Sequence, residues 1–409
     1  MAGVRELVAP DPPPLAAVLE RRNSFTHSRN DESQVEWARN AGIDVIRGHG
    51  RLTGERTVSV DGVRTLTARH AVVLATGTTA AVPRPLRAVL PWTSRDATNM
   101  QELPRRVVIV GGGVVACEAA TWLLDLGARE VTMIVRGSSL LASAEPFARD
   151  RVADALRAAG ARILFDTEVA SVSRPDAADT GIGRIHGGEV TVSVTGAETI
   201  TADEIIVAAG RTPASADLGL ASVGLPEGKY VPTDDHLTAV GDWLYVVGDL
   251  NGRAALTHMG KYQARVCGDV IAARADARPL DGPRFRATAD HGQIPQVVFT
   301  SPEVASVGRT EQQARADDLA VTPVELDIAV AGSSLARDDF AGHAKLVIDE
   351  ATGTIVGATF VGPEVGELLH AATIAVVGKV PVETLWHAVP SYPTVSEVWL
   401  RLLERLRRP

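Results

Sequence analysis

One stretch constrains this chain more than any other: Arg106 to Glu118, RVVIVGGGVVACE. Val107 to Val110 is an apolar, β-branched run, the pattern of a strand buried on both faces. Three glycines follow without a gap, and residues 114–124 then read as a helix. Strand, glycine turn and helix make the first half of a dinucleotide-binding βαβ unit. Gly111 is expected to make the tight turn and Gly113 to let the backbone approach a pyrophosphate. Ala116, in the third small position, is expected to let helix and strand pack closely. The helix N-terminus offers free N–H groups and partial positive charge to the phosphates. Taken alone, the glycines also fit a strand–turn–helix that binds nothing. The context favours the nucleotide. A second strand, Val131 to Val135, follows Gly127, which suits a helix C-cap. It ends at Arg136, roughly 20 residues past the glycines, where the fingerprint places its ribose-reading residue.

The 409 residues are 45% hydrophobic and 22% charged, enough for two or three ordinary domains. A net charge of −9 argues against a nucleic-acid partner. No apolar run is long enough to span a bilayer, and the N-terminus lacks a signal peptide's basic and apolar regions. The expected compartment is the cytoplasm. Two cysteines, Cys117 and Cys267, exclude a disulfide framework. Both fall in expected helices, where a free cysteine acts as a small buried hydrophobe.

Along the chain, Pro12 to Pro14 make the start linker-like. A helical stretch runs from about Leu15 to Asn40, with a break near Asn30–Ser33 and Gly42 as its cap. Ile43 to Ile46, Arg56 to Val60 and Thr65 to Leu74 read as short strands, with a turn at Asp61-Gly62. The last of them closes on Ala75-Thr76-Gly77. Small residues after a buried strand let another backbone or a ligand come close. Prolines 83, 85, 91 and 104 mark the stretch to Arg105 as a linker. After Arg136 come a helix at 149–160 and strands at 162–165 and 189–194. The unit closes on a strand from Glu204 that leads into Gly210-Arg211. Leu244 to Asp249 is a buried strand ending in Gly248-Asp249, with a turn at Asn251-Gly252 and a helix from Thr257. Ligands bind at the carboxyl edge of such sheets. Here the Asp249 side chain reads equally as a helix cap and as a ligand group. From about Gln293 strands are followed by helices rather than alternating with them, an α+β texture that marks a separate domain.

Six motifs occur in a fixed order: ATG at 75–77, GGGVVACE at 111–118, AAGRTP at 208–213, VVGD at 246–249, VFTSPEVASVG at 298–308 and SYPTVSE at 391–397. Together they resemble the pyridine nucleotide-disulfide oxidoreductases, the flavoprotein disulfide reductases that include dihydrolipoyl dehydrogenase, glutathione reductase and mercuric reductase. The resemblance runs from about Ser24 to the end. It implies an α/β architecture with two dinucleotide-binding domains and an α+β C-terminal dimerisation domain. The domains implied are 1–104 (partial FAD-binding), 105–212 (NAD(P)-binding), 213–290 (second part of the FAD-binding domain) and 291–409 (dimerisation). It implies FAD, NADP or NAD, a homodimer, and a small-molecule or metal-ion electron acceptor. By matching position, Gly111, Gly113 and Ala116 hold the nucleotide pyrophosphate and Glu118 lies near the nicotinamide amide. Ala75, Thr76 and Gly77, with Gly210 and Arg211, join the cofactor site. Gly248 and Asp249 meet the FAD ribityl chain, and the helix from Thr257 aims its positive end at the flavin pyrimidine ring.

The departures matter as much. Nothing before Gly77 reads as the family's first glycine-rich βαβ unit, which grips the FAD adenosine pyrophosphate, and no pair of cysteines lies four residues apart. The strands at 71–75 and 244–247 are therefore expected to lose a neighbour and expose their edges. At the C-terminus the family's acid–base His is Tyr392, with Glu397 in the Glu position. A phenol is a poor base at neutral pH, although it can still donate a hydrogen bond. His387 is out of register and reads as structural. The expected activity is hydride transfer from nicotinamide to flavin, incomplete or impaired. The alternatives are a non-catalytic nucleotide-binding dimer and a fragment of a full-length reductase. Arg136 predicts NADPH over NADH, because a guanidinium suits a 2′-phosphate.

Overall fold

The computed structural model describes residues 14–196 and 198–407. The chain divides into two compact units. One is built from Val82–Gly210 and the chain beyond Gly292, the other from Leu19–Ala81 and Arg211–His291.

In the first unit four parallel strands lie in the order Glu204–Val207, Arg106–Val110, Glu130–Ile134, Ala161–Leu164. Helices Val114–Asp125 and Pro146–Ala158 make the crossovers. The strands are valine- and isoleucine-rich because both their faces are covered; Val108, Ile109, Ile205 and Ile206 are fully buried. A three-stranded antiparallel meander, Val169–Ser173, Val190–Val194 and Thr199–Ala202, packs Val190 and Val192 into the same core.

The proline-rich stretch before Arg105 is more than a linker. It holds strand Thr78–Ala80 and helix Ser94–Thr98. Trp92 is fully buried and pairs with the edge strand: its N–H donates to Ile205 O at 2.9 Å and its carbonyl accepts from Val207 N at 2.8 Å. A single tryptophan carries enough apolar area to pin this segment, whose regular elements are all short, to the sheet.

The same unit carries a five-stranded antiparallel sheet in the order Pro295–Val298, Glu303–Gly308, Thr354–Gly362, His343–Asp349, Val321–Asp327. Helices Leu369–Val377 and Val398–Leu406 cover it through Leu369, Ala372, Val398 and Leu402 around Phe360. This is the α+β region expected from the sequence. Buried Lys345 ties it to the parallel-sheet region, with its Nζ 3.1 Å from Glu145 Oε2 and 2.7 Å from Glu311 Oε2.

In the second unit the main sheet has the order Thr238–Val240, Leu244–Val246, Val72–Leu74. The last two strands are parallel and the first pair antiparallel. Only one of the two edges expected to be open is open. Leu244–Val246 is central and buried, whereas Val72–Leu74 is the edge, with Val73 42% exposed. The antiparallel strand Thr238–Val240 supplies the neighbour that the sequence did not announce.

Ile43 to Ile46 forms no strand, and Ile43, Val45 and Ile46 are partly exposed. Its apolar pattern suits a strand, but no described strand pairs with it. Strand Gly50–Gly54, unmarked by apolar residues, joins Thr57–Val60 and Arg64–Thr67 in a meander. The expected run from Thr65 to Leu74 splits into Arg64–Thr67 and Val72–Leu74. The turn at Asp61-Gly62 is present, both residues having positive φ. The long helix near the N-terminus breaks as expected, into Leu15–Phe25 and Glu32–Asn40. No helix among the described residues is long and apolar enough to cross a membrane.

Candidate functional site

The glycine turn closes on its own sheet. Gly111 has φ of +137°, and a Cβ there would collide with the Ala208 carbonyl. Its N–H donates to Ile134 O at 3.0 Å. Gly112 is glycine for a reason the sequence did not reveal, because a Cβ would meet Val135 Cγ1 at 2.6 Å. Its carbonyl accepts from Leu141 N at 2.8 Å, which anchors the loop after the second strand. Gly113 differs from both. It is the N-cap of helix Val114–Asp125, no side chain caps that end, and nothing lies within 4 Å of where its Cβ would be. Ala116 is fully buried one turn in, as close packing of helix and strand requires. Backbone N–H groups facing open space behind a tight turn form a cradle for an anion.

Glu118 lies on the same helix, and its Oε1 accepts from Phe299 N at 2.9 Å. Burial pushes its carboxyl above the ordinary value, against the opposing pull of the Phe299 N–H. The helix thus joins the glycine turn to the loop leaving strand Pro295–Val298. Sequence spacing could not bring residues 118 and 299 together. Arg136 is exposed at the end of strand Glu130–Ile134. Just beyond it, Ser138 and Ser139 line a cavity of about 290 Å³ with Arg149, Arg157 and Phe165. Gly210, with φ of +128°, lies three residues past strand Glu204–Val207 and closes the segment Val82–Gly210 of this unit.

In the second unit the carboxyl edge of the sheet carries the other predicted residues. Ala75 and Thr76 are exposed, and Thr76 Oγ1 donates to Ala214 O at 2.9 Å. Gly77 and Gly248 share a φ of +71°, and neither would have a neighbour within 4 Å of an added Cβ. Asp249 does not cap the helix. Its Oδ2 accepts from Thr78 Oγ1 at 2.6 Å and lies 3.6 Å from Arg211 Nε. Arg211 also reaches Thr78 Oγ1, and its Nη2 donates to Thr78 O at 2.8 Å. Thr257 opens a 19-residue helix with no side-chain cap. Gly260, in its first turn, has Gly248 Cα 3.3 Å from a built Cβ, so helix and turn pack backbone against backbone.

Sequence reasoning missed the support behind Gly248. Fully buried Gln263 accepts from Gly248 N at 2.8 Å and from Asn251 Nδ2 at 2.9 Å, and its Nε2 donates to Asp290 Oδ2 at 3.0 Å. Asp290 is held in turn by Arg253 at 2.7 Å. A buried glutamine inside a helix was the available signal, since such a group must find partners.

At the C-terminus the two residues assigned to acid–base work are not joined. Tyr392 is 76% exposed, whereas Glu397 is buried and accepts from Arg401 Nη2 at 2.7 Å. Glu397 Oε2 has no hydrogen-bond partner among the described residues. Both cysteines are buried and free. Burial, with Glu118 nearby, pushes the Cys117 thiol up to about 12. Burial pushes Cys267 up to about 12 as well, against the pull of Arg274.

The pattern of the pyridine nucleotide-disulphide oxidoreductases matches residues 5–264, and that of the family's dimerisation domain matches residues 294–402. The chain belongs to this family. It is 28% identical over 393 residues to the dihydrolipoyl dehydrogenase of Chlamydia trachomatis serovar D, covering 94% of this chain and 78% of that one. It is 27% identical over 387 residues to the mercuric reductase of Staphylococcus aureus, covering 94% and 67%. Among solved structures, the Cu(II) complex of the HOCl-induced flavoprotein disulfide reductase RclA from Escherichia coli shares its fold. The TM-score is 0.82 at 24% identity, over 97% of this chain and 86% of that one. The fold is that of a flavoprotein disulfide reductase with a C-terminal dimerisation domain, and the family uses FAD and a pyridine nucleotide.

The residues fit these cofactors unequally. The Gly111–Gly113 turn with its uncapped helix suits a pyrophosphate. The open space at Gly77 and Gly248 and the uncapped Thr257 helix suit the flavin end of FAD. Before Gly77 no described segment combines a strand, a glycine turn and a helix N-terminus, which is what a second pyrophosphate requires.

Proposed function

We propose that this chain binds NADPH on the Gly111–Gly113 turn and retains the flavin end of a weakly held FAD, as an impaired NADPH-dependent oxidoreductase. The open, uncapped helix N-terminus behind Gly113 carries the reading. The Phe299 N–H fixes Glu118, the residue assigned to the nicotinamide amide, which supports the reading. Bound FAD supplies a two-electron acceptor for the nicotinamide hydride. The chain's own part is to orient. Asp249, steadied by Thr78 and Arg211, would meet the ribityl chain, and the positive end of the Thr257 helix would favour negative charge on the flavin.

The disulfide half-reaction has no support in these residues. Two buried thiols raised to about 12 supply no thiolate at neutral pH, and Tyr392 forms no dyad with Glu397. The terminal acceptor is therefore a small molecule or metal ion reduced at the flavin. A two-fold dimer through the C-terminal region completes the reading. Exposed Ile374 and Val377 on helix Leu369–Val377 and exposed Val389 and Tyr392 supply the apolar surface for it. The second reading is a nucleotide-binding dimer without flavin, favoured by the lack of a second phosphate cradle among the described residues.

The deciding measurement is the visible spectrum of the purified chain, with flavin counted after denaturation and NADPH titrated by calorimetry. Far less than one FAD per subunit with intact NADPH binding is expected, together with low diaphorase and no disulfide reductase activity. One tight FAD per subunit would overturn the impairment. Absence of any nucleotide binding would overturn both readings.

A further inference from the structure

The second unit's sheet has another functional end. Strands Val72–Leu74 and Leu244–Val246 are parallel, so their amino ends lie opposite the edge that carries Ala75–Gly77 and Gly248–Asp249. At that far end a cavity of about 100 Å³ is lined by Arg56, Arg69, His70, Asp242, Tyr245 and Arg274, among others.

Its charges do not balance. Arg56 is neutralised, with Nη2 3.0 Å from Asp242 Oδ1 and Nη1 on Glu55. Arg274 is not. It is half-buried in the last turn of helix Thr257–Ala275, and its Nη1 donates to Tyr245 Oη at 2.6 Å and Thr238 Oγ1 at 3.2 Å. Its guanidinium also lies over the Tyr245 ring, 5.5 Å from the centroid. All of these partners are neutral. Among the described residues no carboxylate pairs with Arg274 or with Arg69, whereas Arg253, Arg278, Arg284 and Arg286 in the same unit all have one. A guanidinium withdrawn from water is normally paired. Half-buried Arg274 departs from that rule, and exposed Arg69 adds a second guanidinium without a carboxylate at the same small cavity.

We propose that this cavity binds a phosphoryl-type dianion, either inorganic phosphate or the phosphate of a small ester. Three features select that class. The volume equals roughly three waters, room for a tetrahedral oxyanion but not for a nucleoside. Arg274 keeps Nε and Nη2 for a two-point contact, the geometry by which arginine holds phosphate oxygens. Three guanidiniums, Arg56, Arg69 and Arg274, stand against the two carboxylates of Glu55 and Asp242, so the cluster is net positive and attracts an anion. The nearby C-terminus of helix Thr257–Ala275 opposes an anion by about half a charge, which the net positive charge of the cluster outweighs. Occupancy ties the end of that helix to the start of strand Val72–Leu74, so the ligand stabilises the folded unit.

The test uses the full chain, with inorganic phosphate titrated at constant ionic strength and followed by thermal denaturation and calorimetry. Phosphate is expected to raise the melting temperature, and chloride at equal ionic strength is not. Arg69→Gln, at an exposed position that leaves the fold alone, and Arg274→Gln are each expected to weaken phosphate about tenfold. Arg278→Gln, whose arginine already pairs with Asp276, should leave it unchanged. Glycerol phosphate separates the two sources: equal binding identifies a phosphate ester, and its rejection identifies the free ion. Phosphate bound at the Gly111 turn instead would survive both Arg69→Gln and Arg274→Gln. That result, or equal protection by chloride, would overturn the proposal.

Discussion

Two regions of this molecule end a parallel strand in a glycine turn before a helix, and they do it differently. At Gly111 and Gly112 the space a side chain would fill is occupied, by Ala208 and Val135 respectively. At Gly77 and Gly248 nothing occupies the space a side chain would fill. The sheets behind them differ in the same sense. Four parallel strands, edged by Trp92, frame the first turn. The second rests on three strands, one of them an open edge at Val73. The comparison separates two demands on glycine: close backbone approach in one region, and only the positive φ in the other. It also shows why nucleotide binding is expected to be the more robust function, since its turn is held by its own domain.

The largest effect should come from the buried charges behind the first region. Arg174 and Glu204 are both fully buried, and Arg174 also donates to the carbonyls of Val89, His186 and Asp203. Arg174→Met leaves Glu204 unpaired and is expected to cost about 3–5 kcal/mol in urea denaturation. Asp290→Asn is the counterpart in the second region and should cost about 1–3 kcal/mol, because it keeps an acceptor for Gln263. Equal losses would erase the contrast between the two regions.

The turns themselves come next. Gly111→Ala is expected to weaken NADPH more than about 100-fold by calorimetry, or about 2.7 kcal/mol, because the backbone must move away from Ala208. Gly248→Ala should leave NADPH affinity unchanged and cost about 1–3 kcal/mol of stability for its left-handed backbone. If the two substitutions affect NADPH alike, the regions are not independent.

A smaller effect is expected at the open edge. Val73→Lys should change stability by less than about 0.5 kcal/mol and slow aggregation, which light scattering during storage would register. No change in aggregation would mean that the edge is already protected.

The smallest effect is one of pH. Burial works to raise the Asp203 carboxyl, but its hydrogen bonds to Arg106 and Arg105 hold it below the ordinary range. Its contribution is therefore complete above the unfolded value of about 3.9 and is lost as pH falls through the lower folded value. Asp203→Asn should remove that contribution, lowering the neutral plateau slightly and flattening the acid limb in that window, with stability below the window nearly unchanged. Asp235 is lowered in the same direction, burial again being outweighed by Arg286 and Arg253, so Asp235→Asn is the matched control in the second region.

Local chemistry made much of this protein legible from sequence. An apolar β-branched run followed by glycines can be little else than a buried strand feeding a tight turn. Val107 to Val110, Gly111 and the helix after Gly113 lie where that pattern puts them. The two cysteines in helices, the broken N-terminal helix and the α+β texture beyond Gln293 were equally readable, because each depends on residues near one another in the chain. Strand partners were not readable. Ile43 to Ile46 has a strand's composition and forms none, whereas Gly50–Gly54 lacks it and pairs with Thr57–Val60. Hydrogen bonding to a neighbour decides a strand, and the neighbour is not encoded locally.

Sequence by itself determined the family, the strand–glycine–helix turn and the wide separation of Cys117 from Cys267, because these rest on residue identity and spacing. Tertiary structure alone decided the rest. It set Glu118 on the Phe299 N–H and left Tyr392 in water. It placed Gln263 behind Gly248 and left Arg274 and Arg69 without a carboxylate. Each of these is a matter of which distant group reaches a buried polar atom first. Only the packed chain fixes that, because the cost of an unpaired group appears once water has been excluded.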